Sequence, residues 1–592
     1  MSSLQTRQSR NLDQMIRILV LLAGMFWCAG ASAATSQVPD FALIDHQGRF
    51  HQLSRYADQR AVVVFVYSPE CDASKAALPE IVSLQKRFRN SPVRFLVLVP
   101  DSGETRAGLA DLASTMNAET PFLLDSSQLV SDALEFTHGG EVLVISPVRG
   151  DILYRGGVGL YQGDPTQQAL AANLPGMSSH LHYVVHSVLR GEPFIDNPSP
   201  SQGAPLVLDR IEAVRSRSIS YEDDVAPILI DRCAGCHREQ GVAPWVMDGH
   251  RMVQGWSGMI RETLLTRRMP PGQIDYDYAS RYEDVHHISD EEMQILMRWI
   301  ETGAPRNENA DDPLAMLEPS SSDWELGEPD LVIDFPEHRV PASGVLDYVF
   351  VPLEIGLTED KWVSAYAFDV DEKSALHHVI VYTQDARQQR QNASRGGSRT
   401  NFGGYAPGRG HIELDPDTGI LLKRDMRFMI QFHYTTIGRE LTDRTRLGLY
   451  FHDAPPEHVL ERTAVMNGEF VIPPGIREYP VTASTLIPND SYLYSFAPHM
   501  HYRGKHIRFR ALFPDGSEEK LLSIPNFQHN WQMVYRLREP VFLPAGTEIV
   551  AEGAFDNSRF NPLNPDPSQE VRWGDQVWDE MFLAWMRIGE AR

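Results

Sequence analysis

Cysteine is almost absent from this chain: its 592 residues contain four. Cys28 lies in an apolar stretch near the N-terminus, Cys233 and Cys236 form a C-x-x-C-H run with His237, and Cys71 alone is left unassigned. No disulfide framework is therefore available, and stability has to come from packing. Positive charge is also scarce, with 54 Lys and Arg against 79 Asp and Glu and a formal net charge of −25. Nucleic-acid binding relies on clustered Lys and Arg displacing phosphate counterions, so nucleic acid is excluded as a partner. After the N-terminus no apolar run approaches the roughly 20 residues that span a bilayer. The length excludes a single core and calls for two to four domains.

What is present begins with an export pattern. Arg7, Arg10 and Arg17 precede the apolar run 18–28, and Ala31-Ser32-Ala33 follows. That is the order of a secretory signal and its peptidase site, and the run is too short to suit a retained anchor. The expectation is a signal over residues 1–33, a mature chain from near Ala34, a periplasmic or secreted location, and no membrane span after signal removal.

Four textures follow. Residues 38–191 alternate β-rich apolar runs (61–67, 93–99, 142–145) with helical stretches, as in an α/β domain. Residues 192–217 read as a linker, Pro-, Ser- and Gly-rich over 192–205. Residues 218–305 show helical spacing at 221–230 and 290–302 and predict a small all-α domain. After a polar, acidic linker (306–328), the rest consists of short β-type runs punctuated by Pro, Gly, Asn and Asp. Pro455-Pro456 divides it into two all-β sandwich lobes, 329–454 and 457–592.

Cys233-Ala234-Gly235-Cys236-His237 is a haem c attachment sequence, in which two thiols add to the porphyrin vinyl groups and the adjacent His ligates the iron. The alternatives are a dithiol redox pair or half of a zinc site, but no second Cys pair exists. Met269, in Arg268-Met269-Pro270-Pro271, is the favoured sixth ligand, with His250, His286 and His287 as rivals. This segment resembles small cytochrome c domains whose Met-Pro loop supplies the distal ligand, and Ser289-Asp290-Glu291-Glu292 then opens the closing helix.

The β-rich half carries His377-His378, His433 before Tyr434, and His499-Met500-His501. Residues i and i+2 of a strand share a face, so His499 and His501 can converge directly, whereas His377 and His378 can do so only at a strand end or twist. Imidazole suits copper or zinc, and a nearby thioether selects copper. This series, with Trp573-Gly574-Asp575 and Asp579-Glu580-Met581, resembles the copper type II, ascorbate-dependent monooxygenases, the dopamine β-monooxygenase and peptidylglycine monooxygenase family, over about 329–585. The resemblance implies two coppers and jelly-roll-like lobes. His377, His378 and His433 match the ligands of an electron-transfer copper, and His499, His501 and Met581 match those of the dioxygen-binding, catalytic copper. It also implies hydroxylation of a substrate C–H bond. Peptidylglycine enzymes hold a peptide carboxylate through positions that here carry Ala497, Leu583 and Trp585, so a C-terminal glycine substrate is not expected. The family's disulfides are missing too. His338, His411, His452, His458, His506 and His529 match nothing and are read as structural or solvated.

In the first domain, Val38-Pro39-Asp40-Phe41 and Pro69-Glu70-Cys71-Asp72-Ala73-Ser74 resemble the redoxin branch of the thioredoxin fold. Cys71 takes the attacking-thiol position at a helix N-terminus, where a thiol pKa falls. Ser74 replaces the resolving Cys, and Gly140 stands where a cis-Pro is usual. A scaffolding or docking role is favoured over thiol catalysis, Cys71 remaining a candidate redox thiol.

The combined expectation is an exported copper-dependent monooxygenase acting on an unknown small organic substrate with dioxygen. Its cofactors are two coppers and one haem c, and its electrons come from a periplasmic donor through the haem. The rivals are a non-catalytic haem and copper electron-transfer or sensing protein, and a thiol peroxidase with appended domains.

Overall fold

The computed structural model describes residues 37–101, 103–159, 176–194, 203–239, 241–283, 285, 287–317, 324–385, 400–407 and 410–591. The expected signal (1–33) and His286 lie outside these residues. No helix among the described residues is long and apolar enough to cross a membrane.

The first unit is built on the three predicted runs, which form the strands Ala61–Val66, Val93–Val99 and Glu141–Ser146. Every residue of Ala61–Val66 is buried, which explains the unbroken apolar sequence: a central strand covered on both faces has no solvent side to alternate toward. The five-stranded sheet runs in the order Phe122–Leu124, Val93–Val99, Ala61–Val66, Glu141–Ser146, Asp151–Gly157, parallel across the first three strands and antiparallel across the last three. The helices Asp72–Arg87 and His180–Arg190 supply buried residues to its core.

The helical unit comprises a continuous helical run over 221–234 and the helices His250–Leu265 and Asp290–Glu301, packed around Tyr221, Val253, Leu296 and Trp299. Ser289 and Glu292 form the reciprocal capping box of the closing helix. The unit starts earlier than its composition suggests. Helix Asp209–Arg215, inside the stretch read as linker, buries Ile211 in the same core and pairs Arg210 with Asp290 at 3.1 Å. A helix this short has too few periodic positions to announce itself. The unit also lends an edge strand, Tyr282–Glu283, to the β region.

The two β lobes are sandwiches that share one layer. A ten-stranded sheet runs through both, and its halves are joined by parallel pairing of Thr418–Leu422 with His458–Asn467. Each lobe adds its own four-stranded sheet. One contains Leu376–Asp385, Met426–Tyr434 and Thr400–Tyr405, and the other Gly504–Leu512 and Glu548–Phe555. Two apolar cores result, one per lobe; the first also takes Leu460 and Tyr494 from beyond Pro455-Pro456, and the second Ile274 and Tyr282 from the helical unit. The shared layer fixes how the lobes face each other; His499 ends one of its strands, while His377, His378 and His433 lie on the first lobe's own sheet.

Candidate metal centres at the lobe interface

His378 pairs directly with His433 across Leu376–Asp385 and Met426–Tyr434, while Leu376 pairs with Tyr434. The chain thus spends two steps on one strand for one on the other, and the extra residue is His377. A bulge of this kind puts neighbours on a common side, so the adjacent pair converges without a strand end. The ligand atoms of His377, His378 and His433 lie within 4.8 Å of one another. His378 Nε2 and His433 Nδ1 are buried and have no hydrogen-bond partner among the described residues. Orphaned imidazole nitrogens are costly unless something occupies them, so the donor set fits a soft or borderline cation such as copper.

The second site sits at the end of Ser491–His499. His499 Nδ1 is bonded to Gln532 Oε1, and His501 Nδ1 lies 3.3 Å from the Asp579 carbonyl. Both partners are acceptors, so both rings carry their proton on Nδ1. Their bare Nε2 atoms then face each other 3.2 Å apart. Two lone pairs so placed repel unless a cation lies between them, and such outer partners are what fix the tautomer of a metal-binding His. The strand Ser491–His499 pairs with Phe582–Glu590 with His499 opposite Leu583. Half-buried Met581 immediately precedes Phe582–Glu590, two residues before Leu583. Glu580, fully buried, accepts the backbone N–H groups of His501 (2.9 Å), Arg503 (2.6 Å) and Met581 (3.3 Å), binding the two segments together. Burial raises its pKa to about 8 against the pull of those donors and of Arg503.

One histidine read as structural or solvated belongs to this cluster. His529 is 2% exposed, donates from Nδ1 to the Met500 carbonyl at 3.2 Å, and leaves Nε2 unpartnered. Its ring stacks on His377 at 5.0 Å and stands 6.1 Å from His501, so it lies between the two sites. The sequence signal was weak: Gln528-His529-Asn530 has no spacing relation to the other ligands. Burial holds all six rings neutral, and mutual repulsion adds to it: His378, His501 and His529 are pushed well below the usual value and His433 down to about 3. A cleft of about 700 Å³, including its open mouth, runs between the lobes beside both sites, lined by His378, His499, Asn401, Tyr405, Arg462 and Trp585.

In the helical unit, Cys233 and Cys236 are free thiols. Burial, then Cys236, pushes the Cys233 thiol up to about 12, and burial raises Cys236 as well. A dithiol redox pair needs the opposite shift. His237 donates from Nδ1 to the Trp245 carbonyl at 3.0 Å, leaving Nε2 as a ligand atom, and Gly235 between the thiols opens onto empty space. These features fit a covalently attached haem. His250 is held differently, its Nε2 bonded to the Ala304 carbonyl at 2.8 Å, and His287 packs edge-on against Tyr276. Met269 is half-buried just beyond helix His250–Leu265, and the following Gly272 accepts a hydrogen bond from Tyr535 of the second lobe at 2.9 Å. The C-x-x-C-H run abuts the first lobe. Arg238 pairs with Glu325 (3.0 Å), which also binds His411 (2.5 Å). Buried Tyr405, raised by burial and Asp443, also senses the Cys236 thiol. Tyr405 is paired in the sheet with Val379, next to His378.

Cys71 caps helix Asp72–Arg87 as expected, but it is 3% exposed. Within the stretch read as linker the chain runs back along 137–139, with Leu206 donating to Thr137 (2.8 Å), Gly139 donating to Ala204 (3.0 Å), and Ala204 N donating to the Cys71 sulfur (3.4 Å). A Cβ at Gly203 would come within 1.7 Å of the Gly139 carbonyl oxygen, and one at Gly139 within 2.8 Å of the Cys71 sulfur, so glycine is required at both. Burial pushes the thiol up, but the N–H groups of Ser74, Ala204 and Ala73 outweigh it and the net shift is downward.

Residues 34–148 match the AhpC/TSA family. Similar solved structures include a hypothetical protein from Sinorhizobium meliloti 1021 (18% identity, TM-score 0.24, 29% of this chain and 91% of that chain). Another is an uncharacterized conserved protein from Geobacillus kaustophilus (19%, TM-score 0.25, 29% and 89%). A third is a thiol:disulfide interchange protein of the thioredoxin family from Chlorobium tepidum TLS (14%, TM-score 0.20, 26% and 96%). No curated protein matches the chain. The family match and the sheet order make the first unit a thioredoxin-like redoxin domain, followed by a helical unit and a large all-β region.

Proposed function

We propose that this protein is an exported copper-dependent monooxygenase that inserts oxygen into a C–H bond of a small organic substrate and draws its electrons through a fused c-type haem. One observation carries the reading: two groups of neutral imidazoles, with ring nitrogens that lack a proton-bearing partner among the described residues, stand beside a single cleft between two β lobes that His378 and His499 line. His377, His378 and His433 would hold one copper, and His499, His501 and Met581 the other. Bound copper supplies one-electron chemistry and dioxygen activation, and a haem held by Cys233, Cys236 and His237, with Met269 as the sixth ligand, supplies one-electron transfer. The protein's own part is orientation. Gln532 and Asp579 hold protons on Nδ1 of His499 and His501, Glu580 locks their loop to Met581, and the bulge turns His377 to the side of His378. The reaction places one oxygen atom in the C–H bond and releases the other as water, consuming two electrons and two protons from a periplasmic donor and solvent. The ion-pair chain from Arg238, next to His237, through Glu325 to His411 of the first lobe supports electron entry there. The N-terminal basic, apolar and small-residue sequence supports export.

Metal and haem analysis of the purified protein, followed by dioxygen uptake by the reduced form, tests this. Two coppers, one haem and substrate-dependent uptake are expected. Both metals without any uptake would favour an electron-transfer or sensing protein. Zinc, or no copper, would overturn the assignment.

A further inference from the structure

The shared sheet holds a pair of charges that the metal chemistry does not use. Arg462, on His458–Asn467, stands directly opposite Arg587, on Phe582–Glu590. Like charges in register are destabilising, and here Arg587 is buried and Arg462 half-buried. Arg587 is 7% exposed, and Arg462 lines both the cleft beside His499 and a smaller cavity behind it. Burial and then Arg587 bring the Arg462 pKa down to about 10, and burial also lowers that of Arg587.

Neither guanidinium has a carboxylate in ion-pair contact among the described residues. Arg462 donates to the Asn401 side-chain oxygen and lies over the Trp585 ring at 6.0 Å, and Arg587 donates to the Phe402 carbonyl at 3.0 Å. Two carboxylates, Glu413 and Asp415, do lie on the wall of the smaller cavity. Burial raises Asp415, and the cation that opposes this is Arg536, itself bonded to Glu283 at 2.6 Å. The Arg462–Arg587 pair therefore retains most of its donors and an uncancelled double charge beside a cleft. Burying one unpaired cation is costly and burying two side by side more so, unless an anion joins them.

We infer that Arg462 and Arg587 anchor a carboxylate of the substrate, so that the cleft takes an organic acid whose hydrocarbon part reaches toward His499. The guanidinium fork matches a planar carboxylate, and the adjoining wall offers an organic body Trp585, Met533 and Val534. The positions that hold the carboxylate in peptidylglycine enzymes carry Ala497, Leu583 and Trp585 here, so the cations come instead from two strands of the shared sheet. The inference rests on the hydroxylase reading only in calling the anion a substrate. The anion site itself does not require copper.

Titration calorimetry of the whole purified protein, metal-free and copper-loaded, with benzoate, benzamide, acetate, acetamide and inorganic phosphate tests it. At least one carboxylate should bind about ten- to a hundred-fold more tightly than its amide, one per chain, and more tightly than phosphate. Arg462→Gln should reduce that preference about tenfold or more while copper content and the far-ultraviolet spectrum stay unchanged. His499→Ala should leave it intact. Carboxylate and amide binding alike, phosphate binding in preference, or no carboxylate binding overturns the inference. Should Arg462→Gln fail to fold, the acid–amide comparison on the unmodified protein still decides. Carboxylate selectivity in a protein that takes up no dioxygen would sink the hydroxylase reading and leave the anion site standing.

Discussion

Two buried clusters in this chain have very different hydrogen-bond accounts. Around Cys71 the sulfur accepts N–H groups from Ser74 and Ala204, and Ser74 donates to carbonyl oxygens of Ser68 and Cys71. A segment of the protein's own chain lies over the thiol. At the lobe interface, His378, His433 and His529 each bury a ring nitrogen without a hydrogen-bond partner among the described residues, and His499 and His501 aim two lone pairs at one point. A residue type known for reactivity is satisfied and covered in the first cluster, and ordinary imidazoles are left wanting in the second. Unpaired buried polar atoms cost folding free energy, so their concentration in one place marks a ligand site better than residue identity does.

Four experiments would break or sharpen that contrast. The largest effect is expected at the second site. His499→Ala should remove one of the two coppers and abolish substrate-dependent dioxygen uptake, whereas Cys71→Ser leaves both unchanged; equal losses in the two variants would erase the distinction. Next comes the scaffold of that site. Glu580→Ala strands the buried N–H groups of His501, Arg503 and Met581, and should lower the unfolding free energy of the second lobe by roughly 3 kcal/mol, measured by denaturant titration.

The imidazoles also set a pH dependence in the metal-free protein. An unfolded chain protonates them from about pH 6.5 downward, while folded His433 resists until about 3. The unfolded state binds more protons in that interval, so the lobes should lose stability as pH falls from about 6.5 toward 3 and gain nothing from these groups above it. Thermal melts across that range, with and without copper, read the effect. The smallest change concerns the covered thiol. Gly203→Ala forces the covering segment away from Gly139, and iodoacetamide labelling of Cys71 should speed up about tenfold with copper content unaltered. Unchanged labelling would mean that something else shields the sulfur.

Much of this was legible in the residues. The strand Val93–Val99 coincides with its apolar run, and Cys71 opens a helix as its position beside Pro69 and Asp72 implied. His499 and His501, two apart, do share a side, as the period of a strand requires. The convergence of His377 with His378 was left to a strand end or twist, and a bulge accomplishes it. His529 escaped because nothing local distinguishes a buried His with a tethered Nδ1 from one facing solvent. The Arg462–Arg587 opposition escaped because the two residues are far apart in the chain, and cross-strand partners follow from register alone.

The sequence by itself determined the local elements, the supply of donor atoms and the helical turn that sets Cys233, Cys236 and His237 together, because periodicity and short-range hydrogen bonding act within a few residues. Tertiary structure alone decided which imidazoles meet, which cations oppose each other and which thiol is covered. A two-residue period specifies the face a side chain takes but not the strand it will meet there, and that choice belongs to the packing of two lobes on a common sheet.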